Sequence, residues 1–194
     1  MLDTASIGAI RSAFALFLGR RDALKTFDFS VDGFWHSFRA IFYVLPFFAI
    51  NAAVEHRMML SDSVIENPSD AAFIAARLVE YGLDWIAMPA LLALFASRLG
   101  ISRSFAPYVV VRNWAMVVMS APVGLVSLLL GFGLLSFEAS AAISLVVLGV
   151  MIRFHYQIIR WTLGKPVLFS ISLVAADIAL SLVLSEVIDR LFGI

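Results

Sequence analysis

The sequence predicts an all-α fold, a polytopic membrane bundle of five transmembrane helices preceded by a short N-terminal amphipathic helix. Three observations lead there. Hydrophobic residues make up 62% of the 194 positions and charged residues only 14%. With a mean hydropathy of +0.97, this is more apolar surface than a soluble fold of that size can bury. The apolar residues gather into five runs of about 20, the length needed to cross a hydrocarbon core about 30 Å thick. Short polar or Gly/Pro-containing stretches separate the runs and leave no room for a separate soluble domain.

The chain is expected to divide into a cytoplasmic segment, residues 1–33, and a five-span domain, residues 34–194. Within the first, Ser12 to Gly19 (SAFALFLG) is apolar and follows Arg11. Asp3 stands before it, and Arg20-Arg21-Asp22 stands where a signal peptide would carry its small-residue cleavage site, so the segment is expected to be retained. On a 3.6-residue wheel Ile7, Ile10, Phe14, Phe17 and Leu18 share one broad face, with Thr4 placed as N-cap. Such a helix either lies in the membrane surface or packs on the bundle.

The first span is expected over residues 37–54, entered through Asp32-Gly33-Phe34-Trp35, with Asp32 as cap and Trp35 in the headgroup belt. Residues 55–70 are polar, contain the turn signal Asn67-Pro68, and read as an extramembrane loop. The second span covers residues 78–97 around the apolar run WIAMPALLALFA, which contains Pro89. After the basic connection RLGISRSFA, Pro107 suits the first turn of a third span reaching residue 130. Gly131-Phe132-Gly133 ends it. The fourth span, residues 139–161, carries Arg153, His155 and Arg160 toward its far end. Gly164-Lys165-Pro166 then stops one helix and starts another, the fifth span at residues 167–187.

Lys+Arg and Asp+Glu balance at 14 each, which argues against a nucleic-acid partner. Their distribution is uneven. Arg11, Arg20, Arg21, Lys25, Arg39, Arg98, Arg103, Arg112, Arg153, Arg160 and Lys165 fall on the side of the N-terminus, against Arg57, Arg77 and Arg190 on the other. The positive-inside rule then predicts a multi-pass membrane protein with its N-terminus in the cytoplasm and its C-terminus outside. The expected partners are membrane lipids and other membrane proteins or further copies of the chain. With no cysteine there is neither a disulfide framework nor a thiolate site.

Asp177 is the sharpest anomaly. It lies ten residues from each end of the fifth span, about 15 Å deep, where a bare carboxylate is costly and must be paired, protonated or wetted. Arg153 lies at a matching depth on the fourth span, and the tight Gly164-Lys165-Pro166 link makes the two helices antiparallel neighbours. The expected pair Asp177 and Arg153 either fixes helix register or lines a path for an ion or substrate; a protonated, hydrogen-bonded Asp177 is the third possibility. Arg77, Glu80 and Asp84 share one stripe of the second helix. Glu80 and Asp84 are candidate outer-half carboxylates, either in the headgroup region beside an anchoring Trp85 or as a proton-carrying pair.

His36, His56 and His155 are expected near helix ends and lack ligand partners at helical spacing, so no metal site is predicted. Small residues four apart, Ser120 with Gly124 and Ser172 with Ala176, allow close helix contact. No phosphate loop, paired-histidine helix or nucleophile elbow occurs. No catalytic residue, cofactor or enzymatic activity is predicted.

Pro46 in the first span, Pro107-Tyr108-Val109-Val110-Val111-Arg112-Asn113-Trp114 at the entry to the third, and the Gly164-Lys165-Pro166 link resemble the bacterial branch of the Yip (Ypt-interacting protein) domain family. The resemblance covers Phe34 to the C-terminus and is chiefly one of topology. It implies a non-enzymatic integral protein of the bacterial inner membrane; the eukaryotic branch binds small GTPases and partner membrane proteins in vesicle traffic. No site residue is implied for this chain. The function expected is therefore a scaffold or partner-binding membrane protein, with a small proton- or ion-coupled transporter or transporter subunit as the alternative.

Overall fold

A computed structural model describes residues 3–61 and 69–194, and among them only helices and their connections occur. In chain order the helices are α1 (Thr4–Phe17), a 3-10 turn (Arg21–Thr26), α2 (Val31–Ser37), α3 (Ala40–Ser61), α4 (Asp70–Phe95), α5 (Ser102–Gly131), α6 (Phe137–Leu163) and α7 (Val167–Phe192). Five stretches, with α2 and α3 counted together as Val31–Ser61, are long and apolar enough to cross a membrane. This is a multi-pass membrane protein. Side chains such as Leu94, Leu145, Leu168 and Leu182 are exposed along the outer surfaces of the spans, as lipid-facing residues should be.

Most spans outrun the apolar runs that announce them. The stretch expected as a loop from residue 55 continues α3 to Ser61; Asn67-Pro68 lies outside the described residues. Helix α5 starts at Ser102, so Pro107 is its sixth residue and not in its first turn. Caps differ as well. Asp3, not Thr4, caps α1 by accepting the Ser6 amide, and Ser30, not Asp32, caps α2 by accepting that of Gly33. The boundary expected at residue 33 falls inside α2. Gly131 and Gly164 end α5 and α6 where expected, Gly164 in the left-handed conformation at φ 64°.

Neighbours run up and down, except that α3 and α5 pack parallel. Ser37 at the end of α2 meets Asn113, and along α3 first Phe47 lies against Gly124 and then, about one turn further on both helices, Asn51 meets Ser127. Eight consecutive residues of α5, Tyr108 to Ala115, are all buried. A helix enclosed on every side shows no polar face, and the two polar residues of this run, Arg112 and Asn113, are buried with the rest. With Phe154, Ile158 and Ile159 of α6 it forms a dense core in the N-terminal half of the bundle.

Helix α1 packs on that core and also faces outward. Ser6, Ala13 and Leu16 are buried on the bundle, while Phe14, at 51% exposure, and Leu18 point away. The expected apolar face is therefore divided: Ile10 and Phe17 pack against the core, Phe17 edge-on to Phe154 at 5.2 Å, while Phe14 and Leu18 are left outside. Asp3 latches the helix. Its carboxylate accepts the Ser6 amide at 2.6 Å and pairs with Arg39 at 2.9 Å and His36 at 3.2 Å.

The Ser6 amide first, then the Ser6 hydroxyl and His36, hold the Asp3 carboxyl well below the ordinary carboxylate range. A carboxylate depressed on folding contributes its stability above its unfolded pKa and loses it only as pH falls through the folded value. The α1 latch should therefore hold unchanged from neutrality down to about pH 4 and release below. Hydrogen-exchange protection factors of the α1 amides test this, with Asp3→Asn lowering protection across the whole range. A loss of protection in the wild type already between about pH 7 and pH 5 would contradict it.

Candidate functional site

Three polar stripes at helical spacing converge in the C-terminal half of the bundle. Helix α3 contributes Asn51 and Glu55, α4 contributes Arg77, Glu80, Tyr81 and Asp84, and α7 contributes Asp177, Ser181, Ser185 and Asp189, each four residues from the next. All of them except Asp177 and Ser181 line a cavity of about 330 Å³, with Glu55, Arg77, Glu80, Asp84 and Asp189 as its charged members.

Arg77 organises its outer part. Its guanidinium donates to Glu55 at 2.8 Å, Glu80 at 2.5 Å and Asp189 at 3.0 Å, and its side chain is 10% exposed. One planar cation thus ties α3, α4 and α7 together, a task for which the guanidinium fork is suited. Glu80 is consequently no free headgroup-level carboxylate; it is one of three acids sharing a cation.

Asp84 lies one turn deeper. Its carboxylate accepts the Ser181 hydroxyl at 3.1 Å, and among the described residues no cation pairs with it. Trp85 beside it is 2% exposed and sits in the core, not at the membrane interface where an anchor was expected. Pro89, four residues on, removes the amide that would donate to the Trp85 carbonyl. Arg112 of α5, itself 4% exposed, fills the gap by donating to the carbonyls of Trp85 at 3.3 Å and Asp84 at 3.2 Å. Arg112 therefore belongs to the bundle interior and not to the basic connection to which its position in sequence assigned it.

Asp177 follows on the α7 stripe, one turn from Ser181. Its partner is His155 at 3.3 Å, an ion contact and not an aligned hydrogen bond. The expected partner, Arg153, is exposed and makes no ion pair among the described residues. Depth matched but azimuth did not: two residues apart on α6 is about 200° of rotation, so the face that brings His155 to α7 turns Arg153 outward. His155 is accordingly no helix-end residue. His36 and His56 do sit in ion contacts, with Asp3 and Asp70. No group of three metal-ligating side chains occurs among the described residues.

Of the sequence candidates, then, the structure gathers Arg77, Glu80, Asp84 and Asp177 along one polar file and leaves Arg153 out. The file also holds Glu55, Ser181 and Asp189, which were not singled out, and His155, which was expected near a helix end. The four-residue repeat on α7 was the signal that would have found two of them. The small pair Ser120 and Gly124 faces α3, whereas Ser172 and Ala176 are exposed on α7. Compared with family models, curated proteins and solved structures, the chain finds no match.

Proposed function

We propose that this chain is a proton-coupled membrane transport protein, or the proton-carrying subunit of one. The observation that carries it is the file of ionisable and hydroxyl groups inside the spans, from Glu55, Arg77, Glu80 and Asp189 through Asp84 and Ser181 to Asp177 and His155. Carboxylates and histidine within membrane helices are costly to retain, and relays of these side chains are how membrane proteins move protons. Structural stapling accounts for the Arg77 cluster. It does not account for Asp84, which has a hydroxyl partner only, or for an Asp177 set beside a histidine, a side chain able both to accept and to donate a proton.

The setting that fits is a bacterial cytoplasmic membrane with the N-terminus inside. With Arg77 and Arg112 set aside as bundle-internal, the N-terminal end keeps ten basic side chains and the opposite end keeps Arg57 and Arg190, in keeping with the positive-inside rule. The polar cavity then opens toward the outside.

A second function has one observation in its favour. Around α1 the exposed Phe14, Leu18 and Trp35, the last at 66%, stand among exposed Arg11, Arg20, Arg21 and Lys25. That is the surface expected of a Yip-like scaffold that holds membrane proteins or anionic lipid.

Proteoliposomes with an imposed pH gradient separate the two. Wild-type protein should dissipate the gradient, and Asp177→Asn or His155→Gln should slow dissipation about a hundredfold while the protein stays folded, as loss of a general acid–base group does. No flux from folded wild-type protein, with a stoichiometric companion protein in a mild-detergent pull-down, would transfer the assignment to the scaffold.

A further inference from the structure

The 330 Å³ cavity continues inward. A second chamber of about 220 Å³ shares Phe48, Asn51, Tyr81 and Asp84 with it and is otherwise walled by Phe47, Trp85, Met116, Met119 and Met151 among others. The two are a single cleft, acidic at its mouth and apolar at its inner end. Asp84 stands where they join.

We propose that this cleft binds a small organic cation with an apolar body, its charge at Asp84 and its body among the methionines. The proposal rests on the transport function argued above and names the substrate class of the same site. Charge decides the sign of the ligand. The mouth holds four carboxylates against one guanidinium, and the guanidinium is engaged by Glu55, Glu80 and Asp189, so Asp84 is left with the Ser181 hydroxyl. An anion would be repelled, and a neutral guest would leave that carboxylate without a counter-ion in the bundle. A metal ion is disfavoured by the donor set, since three of the four acids already point at Arg77 and hard cations need six or more oxygens.

The walls decide the rest. Phe48 and Tyr81 stack with centroids 4.4 Å apart where the two chambers meet, so a cation held at Asp84 has aromatic faces beside it. Met116, Met119 and Met151 are unbranched and polarisable, able to pack against apolar groups of varied shape. The buried Trp85 also lines the inner chamber, and its indole N–H has no acceptor among the described residues. Buried donors are rarely left so; an aromatic face or an oxygen on the guest would satisfy it.

The experiment is calorimetric titration of the full-length protein, in mild detergent at mildly alkaline pH, with benzyltrimethylammonium and with its neutral isostere neopentylbenzene. The folded wild type should bind the cation and hold it more tightly than the isostere. Asp84→Asn should weaken the cation by about tenfold or more, as loss of a desolvated charge partner does. Phe48→Leu, which keeps bulk and leaves the carboxylate in place, should weaken it about threefold and leave the isostere unchanged. If Asp84→Asn does not fold, the Phe48→Leu comparison decides alone. Absence of cation binding, equal binding of the isostere, or unchanged affinity in both variants would overturn the proposal. Its failure is distinct from failure of the transport function: proton flux without cation binding removes the ligand and keeps transport, and cation binding without flux does the reverse.

Discussion

Replacing Arg77 with methionine is expected to remove most of the folded protein. The substitution keeps the apolar stem and deletes the guanidinium, leaving Glu55, Glu80 and Asp189 facing one another across three helices without a cation. Breaking a largely buried ion cluster from the side of its single cation costs about 3–5 kcal/mol, because the remaining charges stay desolvated and repel. Against a total stability of about 5–15 kcal/mol that is a large share. The readout is the yield of monodisperse protein in detergent and its melting temperature. The fully neutral quadruple variant Arg77→Met, Glu55→Gln, Glu80→Gln, Asp189→Asn should recover much of the loss, since a replaced ion cluster is often no less stable than the original. A single Arg77→Met protein that melts like the wild type would show that the three acids are not held by that cation.

The second large effect is expected at Gly124. A Cβ there would lie 2.7 Å from Cδ1, 2.9 Å from Cβ and 3.2 Å from Cα of Phe47. The last contact is with backbone, so a side chain cannot be accommodated by a rotamer change in Phe47 alone; α3 itself must move away from α5. Gly124→Leu should therefore cost at least the 1–3 kcal/mol typical of overpacking, about, and Gly124→Ala less. Thermal melts in detergent give both values. Adding Phe47→Ala should restore part of the loss in Gly124→Ala while being destabilising by itself, a coupling that only direct contact produces. Additive effects would mean that the helices are not in contact at this point.

How much of this was legible beforehand depends on what each signal measures. Length and hydropathy report transfer into lipid, and they located all five spans. They did not locate the span ends, because a helix continues into the interface as long as its backbone hydrogen bonds are satisfied, whatever its side chains; α3 runs on to Ser61 through Glu55, His56 and Arg57 for that reason. Depth along a helix was equally readable, and it marked Asp177 and the Arg77, Glu80, Asp84 stripe as anomalous. Rotation about the helix axis was not readable from depth. That is why Arg153 was paired with Asp177 in place of His155 two residues on. The same blindness hid Arg112, whose partners are backbone carbonyls, groups that carry no signature in the residue letters. Trp85 was misplaced by a rule about tryptophan at interfaces that describes averages over many proteins and not the packing of one.

The Arg112 contact bears on how the protein can move. Its two hydrogen bonds end on the α4 carbonyls beside the Pro89 break, so α4 cannot slide or straighten without stranding a guanidinium in a dry interior. Arg112 thus pins α5 to α4 at this one level. Helix α7 meets α4 through the Arg77 and Asp84 contacts to Asp189 and Ser181, and it leaves α6 at the left-handed Gly164. For α7 to part from α4 the Arg77–Asp189 and Asp84–Ser181 contacts must both break, so these side chains, and not the backbone at Gly164, set how readily the two helices separate.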